Sequence, residues 1–169
     1  DHGDQIFGMN FSRDGKLIAT ACIDGYARVY STSTFERICD PFPFGFNFGA
    51  NVEFSLDGKY LLTRTTRGRD SNNVVIWDIK TGKEKYRLKH SSGVYNHFFS
   101  FDSKYVYTCG NDNTAKMWSL ENGELLGVFR QSDCVVATMQ FQSDPKKILT
   151  IDKLGNARIW DTEIQKIVD

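Results

Sequence analysis

The feature that most constrains this chain is a period. Phe11-Ser12-Arg13-Asp14-Gly15-Lys16, Phe54-Ser55-Leu56-Asp57-Gly58-Lys59, Phe99-Ser100-Phe101-Asp102-Ser103-Lys104 and Phe141-Gln142-Ser143-Asp144-Pro145-Lys146 are four versions of one hexamer. Their phenylalanines lie 43, 45 and 42 residues apart. A fixed period of this length means that one small unit is built repeatedly, each burying its apolar face against the next. Nine residues after each Phe comes a threonine: Thr20, Thr63, Thr108 and Thr150. Nineteen after it comes an aromatic in three copies, Tyr30, Trp118 and Trp160; the second copy reaches Trp77 only after a four-residue insertion.

Each copy breaks into short runs rich in β-branched and aromatic residues, separated by Asp-Gly, Asp-Ser, Asp-Pro, Asn-Asp or Thr-Gly turn signals. The pattern predicts an all-β chain with four strands per copy, and no long helical pattern competes. In the first copy these strands fall near Gln5–Ser12, Leu17–Cys22, Ala27–Ser31 and Arg37–Asp40, and the last copy ends on a strand at Ile164–Val168. Phe11, Phe54, Phe99 and Phe141 are expected buried at equivalent places. Asp14, Asp57, Asp102 and Asp144 look like a carboxylate series, but each heads a turn, which is the job expected of them.

Taken together, these residues resemble the WD-repeat family. The dipeptide that names it stands as Trp77-Asp78 and Trp160-Asp161, and in weaker form as Trp118-Ser119 and Tyr30-Ser31. The resemblance covers essentially the whole chain and implies four β-propeller blades, each a four-stranded antiparallel sheet, at about 1–43, 44–89, 90–131 and 132–169. It also implies a hydrogen-bonded tetrad in each blade: a His at the entry, a Ser or Thr on the second strand, an Asp in the next turn, and the Trp. The first copy matches with His2, Thr20 and Asp24, Tyr30 replacing Trp. The third matches fully with His90, Thr108, Asp112 and Trp118. The second has Gly45 for His and a displaced Asp70; the fourth has Ser132 for His and Leu154 for Asp. Trp118→Ala is therefore expected to cost more stability than Phe129→Ala on the outer strand.

Propellers of this family close a ring, commonly of seven blades within a range of about four to eight, so the four blades here are expected to be part of a larger propeller of about seven or eight blades. Four blades leave apolar end faces, which implies cover from further blades of the same polypeptide or from a second copy of the chain.

Composition removes several function classes. Twenty-one basic residues balance twenty-one acidic ones, so no net field draws the chain to nucleic acid or an anionic membrane. No stretch is apolar enough to span a bilayer, and Asp1 to Asp4 do not resemble a secretion signal. Cys22, Cys39, Cys109 and Cys134 lie far apart with no metal-ligand spacing, which fits reduced core residues. A cytoplasmic location is expected, with the nucleus as the alternative. Of three histidines, two belong to tetrads; His97, two residues before Phe99, sits where the other copies place Met9, Val52 and Met139 and reads as a packed or channel-lining side chain. No nucleophile triad, metal helix, phosphate loop or dinucleotide motif is present, so no catalytic residue, cofactor or metal is expected.

The resemblance places partner binding on the rim where the entry loop meets the turn after the second strand. Carried over by position, that rim holds Gln5 and Phe7, Phe48 and Ala50, Gly93 and Tyr95, and Val135 and Ala137, completed by Ile23, Asn111 and Lys153. Phe7, Phe48 and Tyr95 are the candidate anchors, because aromatics supply much interface energy; packing against a neighbouring loop is the alternative. Phe42-Pro43-Phe44-Gly45-Phe46-Asn47-Phe48 reads as an aromatic strip for a partner or as a packed edge strand. The insertion carries Arg64, Arg67 and Arg69, suited to an acidic or phosphorylated peptide or simply to solvent. The expectation is a non-catalytic scaffold that holds proteins or peptides, as a subunit or domain of a larger multiprotein assembly. A ligand-sensing propeller on a signalling or defence protein, and an enzyme with a channel active site, are the alternatives.

Overall fold

A computed structural model describes residues 2–45, 51–64 and 71–168. The described residues are strands and turns, with no helix among them. The strands are β1 (Ile6–Phe11), β2 (Leu17–Cys22), β3 (Tyr26–Ser31), β4 (Phe42–Pro43), β5 (Asn51–Phe54), β6 (Tyr60–Arg64), β7 (Asn73–Asp78) and β8 (Lys83–Lys89) in the first half. The second half holds β9 (Val94–Phe99), β10 (Tyr105–Gly110), β11 (Thr114–Ser119), β12 (Leu125–Arg130), β13 (Val135–Gln140), β14 (Lys147–Asp152), β15 (Ala157–Asp161) and β16 (Lys166–Ile167). They form four antiparallel four-stranded sheets, each a simple meander of consecutive strands. The chain divides into two compact units, Asp1–Lys89 and His90–Asp169.

The hexamer acts as the hairpin between the first two strands of a sheet. In the first three sheets a serine hydroxyl donates to the Asp two residues on, at 2.7 Å for Ser12–Asp14 and Ser55–Asp57 and 2.6 Å for Ser100–Asp102. The same serine oxygen accepts the amide that opens the second strand, from Leu17, Tyr60 and Tyr105. The Asp residues are therefore spent on turns, as Asx-type side chains commonly are.

Within the first unit, two sheets share one core. Ala19, Ala21, Ala27, Val29 and Phe42 on one side meet Val52, Phe54, Leu61 and Trp77 on the other. Phe42 lies 5.5 Å from Trp77, and Phe44 is buried in the same cluster, so this part of the aromatic strip packs. Phe46 and Phe48 lie outside the described residues. In the second unit the trailing side of the third sheet, Tyr107, Cys109, Ala115, Met117 and Phe129, packs on Val135, Ile148 and Trp160 of the fourth.

Four expectations change. Phe54 and Phe99 are buried, but Phe11 is 57% exposed, because the sheet that covers Phe54 has no counterpart against the first sheet within its unit. Phe141 is only half-buried, because the fourth hairpin is one residue longer. Phe11, Phe54 and Phe99 pair with Ile18, Leu61 and Val106, whereas the residue paired with Ile148 is Gln140. Phe141 thus takes the serine's place, its amide donating to Lys147 O. The fourth strand of the first sheet lies at Phe42–Pro43, not Arg37–Asp40, and Arg37 makes only an isolated bridge to Tyr30; Pro41 and Pro43 cannot donate to a ladder, which keeps this edge short. The last strand contracts to Lys166–Ile167, since Ile164 and Gln165 belong to the turn, with Gln165 at φ 53°. Phe129, although on an outer strand, is fully buried and meets Trp160 edge-on at 5.6 Å, so it offers no mild contrast to Trp118.

Candidate functional site

In the first, third and fourth sheets the entry loop is tied to the turn after the second strand by a backbone hydrogen bond. Ile23 N donates to Gln5 O at 2.9 Å, Asn111 N to Gly93 O at 2.8 Å, and Lys153 N to Cys134 O at 2.9 Å. The sequence-derived rim residues Phe7 and Ile23 are thereby brought together in the first sheet, and Tyr95 with Asn111 in the third. Lys153 joins the entry loop of the fourth. Phe48, Arg67 and Arg69 lie outside the described residues, and Arg64 closes β6 in a half-buried position.

The entry strands are bulged at one position. Pairing jumps from Ile6 to Gly8 in the first sheet, from Val94 to Asn96 in the third and from Val135 to Ala137 in the fourth. The skipped residues are Phe7, Tyr95 and Val136. A bulge re-aims the extra side chain out of the ladder, and Phe7 and Tyr95 are accordingly 46% and 45% exposed. Tyr95 also bonds the thiol of Cys134 on the adjoining entry loop, whose acidity burial and Asp133 suppress. In the fourth sheet the one-residue slip corrects the expected rim: Val135 is buried, and Val136 holds the bulge.

Beneath these rims lie the polar networks. In the third sheet Trp118 Nε1 donates to Thr108 Oγ1 at 2.8 Å, and Thr108 Oγ1 stands 2.7 Å from His90 Nε2. His90 Nδ1 lies 2.9 Å from Asp112 Oδ1. With the hydroxyl proton given to Nε2, the imidazole is neutral and donates from Nδ1 to the carboxylate. Burial holds the His90 pKa below its ordinary 6.5, outweighing the nearby Asp112. Burial would raise the Asp112 carboxyl, but hydrogen bonds from Thr114 and His90 drive it well below the usual range. Lys116 Nζ adds an ion pair to Asp112 at 3.5 Å.

The first sheet runs its network in the opposite sense. Arg28 reaches between His2 and Asp24, with its Nη1 3.2 Å from His2 Nδ1 and its Nη2 2.7 Å from Asp24 Oδ2. A guanidinium only donates, so Nδ1 must accept and Nε2 carries the proton toward Thr20 Oγ1 at 3.1 Å and Tyr30 Oη at 3.4 Å. The Arg28 hydrogen bond lowers the Asp24 pKa to about 2. His2, Cys22 and Asp24 converge within 4.8 Å, the one set of metal-ligand types to do so among the described residues. Arg28 already supplies the cation there, and Cys22 Sγ donates to Asp4 O at 3.2 Å.

The second and fourth sheets retain only part of the chain. Trp77 Nε1 donates to Thr63 Oγ1 at 2.9 Å and Trp160 Nε1 to Thr150 Oγ1 at 2.8 Å. In the fourth, buried Asp152 closes the turn instead of Leu154, accepting from the amides of Leu154 and Asn156 and from the Asn156 side chain. Sequence reasoning missed this residue, and it missed the basic residue opposite the threonine in three sheets: Arg28, Lys116 and Arg158. His97, buried on β9, pairs across the ladder with Thr108; its register partner elsewhere is Thr138, not Met139.

The profile of the WD domain, G-beta repeat family matches residues 1–31 and 82–119. The chain carries WD repeats. Its relatives include the transcription initiation factor TFIID subunit 5 of Caenorhabditis elegans, 21% identical over 99% of this chain and 25% of that protein. The Denticleless protein homolog of Gallus gallus is 31% identical over 46% of the chain and 11% of its own length. Autophagy-related protein 16 of Arabidopsis thaliana is 28% identical over 66% of the chain and 21% of its own length. This WD-repeat chain thus spans no more than a quarter of the length of these relatives.

Proposed function

We propose that this WD-repeat chain is a non-catalytic scaffold that holds other proteins at its entry rims, with Phe7 and Tyr95 as the anchoring side chains. The observation that carries this reading is the bulge, which in two sheets pushes an aromatic out of the ladder at the same position and leaves it nearly half exposed. Rigid aromatics on a fixed strand lose little entropy on binding and supply much interface energy. The histidines of the tetrads are held neutral and hydrogen-bonded, which suits a scaffold that keeps its loops in place. A relative named as a subunit of an assembly supports the same reading. The reading extends to the flanks, where exposed apolar sheet faces call for cover by further blades or by a second copy.

The test is a paired variant, Phe7→Ala with Tyr95→Ala. Binding to proteins captured by the native chain should fall by about tenfold or more, with thermal stability unchanged. Undiminished capture by this variant would refute the assignment.

A further inference from the structure

The chain is neutral as a whole, yet five of its twenty-one basic residues fall within ten positions: Lys80, Lys83, Lys85, Arg87 and Lys89, with Glu84 the one acidic residue among them. Four of the five lie on β8, the end strand of the second sheet and the longest of the described strands, and Lys80 lies in the turn before it. Lys83, Arg87 and Lys89 are exposed. Glu84 is engaged by Arg87 through a forked pair, Nε to Oε1 at 3.0 Å and Nη2 to Oε2 at 2.6 Å. The lysines leave the strand with a local positive charge.

Lys85 is held in place. Pairing with β7 jumps from Glu84 to Tyr86, so Lys85 is the extra residue of a bulge. Its Nζ donates to Tyr86 Oη at 2.8 Å and stands 4.3 Å from the centre of that ring and 5.3 Å from that of Tyr60. A lysine fixed in this way loses little further freedom when it meets an anion. Charges on an edge strand ordinarily guard it against stray pairing. Any exposed lysine meets that need, and it explains neither a cation seated on two tyrosines nor its restriction to one sheet. The corresponding strand of the third sheet, β12, runs Leu125-Leu126-Gly127-Val128-Phe129-Arg130, with a single basic residue at its end.

β12 also shows what such an edge accepts. Gln165 lays its side-chain amide along it, Nε2 donating to Leu126 O at 2.7 Å and Oε1 accepting from Val128 N at 3.4 Å. Val128 stands opposite Lys116, the partner of Thr108, and Arg87 stands opposite Val75, the partner of Thr63. The Arg87 amide therefore faces the outer edge of β8 as the Val128 amide faces that of β12. We propose that β8 is a docking edge for an acidic peptide of a partner protein. The peptide lies extended beside the strand, gives a backbone carbonyl to the Arg87 amide, and sets its carboxylates against Lys83, Lys85 and Lys89. Residues two apart on an extended chain are separated by about 6 to 7 Å, so alternating Asp or Glu keeps step with the strand it joins. The site uses none of the rim residues.

Fluorescence anisotropy of a labelled peptide of alternating Glu and Val, titrated with the 169-residue chain, tests the proposal. The peptide should bind, more weakly as salt rises, and should slow hydrogen exchange at the Arg87 amide. Lys83→Gln with Lys89→Gln should weaken binding by about tenfold or more while leaving the melting temperature unchanged. Lys83→Glu with Lys89→Glu should turn the preference toward a peptide of alternating Lys and Val, a reversal that misfolding does not produce. Absence of binding, a double Gln variant that binds as tightly as the native chain, or an Arg87 amide that exchanges as before would overturn it. Equal binding of oligothymidylate or of phosphatidylserine vesicles would make the strand a general polyanion surface and overturn the peptide assignment. Phe7→Ala with Tyr95→Ala should bind the peptide as the native chain does; loss in that variant would move the peptide to the rims and overturn the edge assignment.

Discussion

Thr108→Val separates a complete network from a partial one. The substitution keeps the shape of the side chain and removes one hydroxyl. In the third sheet that oxygen accepts from Trp118 Nε1 and bonds His90 Nε2, at 2.8 and 2.7 Å, so both lose their partner at Thr108 inside a buried site. Thr150 makes the corresponding bond to Trp160 at 2.8 Å, with Ser132 rather than a histidine at the entry of its sheet. Stranding a buried polar group costs about 1 to 3 kcal/mol. Thr108→Val should therefore cost about 2 to 5 kcal/mol and Thr150→Val about 1 to 3, a gap of roughly 1 to 2 kcal/mol. For a chain of this size that gap corresponds to about 2 to 8 °C in melting temperature. Circular dichroism melts of the two variants, supported by urea titrations, provide the measurement. Equal losses, or a larger loss for Thr150→Val, would refute the claim that the His90 arm stabilises the sheet.

Acid should destabilise the chain in two steps. Burial depresses both His2 and His90 below 6.5, so the folded state binds fewer protons than the unfolded one just under that value and stability falls as pH drops; His90→Gln should shrink this first step. Asp24, held at about 2 against an ordinary 3.8 by Arg28, adds about 2 kcal/mol of stability present above pH 3.8 and lost as pH falls toward 2. Urea titrations at stepped pH check both, and stability that rises on acidification would contradict the assignment. Gly110→Ala should cost more than about 2 kcal/mol, because its Cβ would collide with the carbonyl oxygen of Gly93 at the bulge, whereas Gly58→Ala meets open space and pays only about 1 kcal/mol for its φ of 70°. Comparable melts for the two would argue against the packing described at the third rim.

The period made the four sheets legible because each hexamer is a hairpin, and in three of them a Ser and an Asp set the register from within the turn. It misled in the fourth copy for a local reason. Asp144-Pro145 lengthens that hairpin by one residue, so counting from Phe141 displaced Thr138, Gln140 and the bulge at Val136 together. Arg28, Lys116 and Arg158 each follow their threonine by eight residues, a periodic signal that was available and went unread. Asp152 was concealed because it serves the turn from two residues after Thr150 rather than four. Burial of Phe129 and exposure of Phe11 depend on which neighbouring sheet is present, which no pattern inside a single repeat encodes.

The central claim, that the bulged aromatics meet the partner, is tested most directly by site-specific photo-crosslinking. A benzoylphenylalanine placed at Phe7 or Tyr95 should form covalent adducts with a partner protein. The same group at Lys16 or Lys104, in the turns at the other end of the first and third sheets, should form none. Adducts confined to those turns, with positions 7 and 95 silent, would contradict the account.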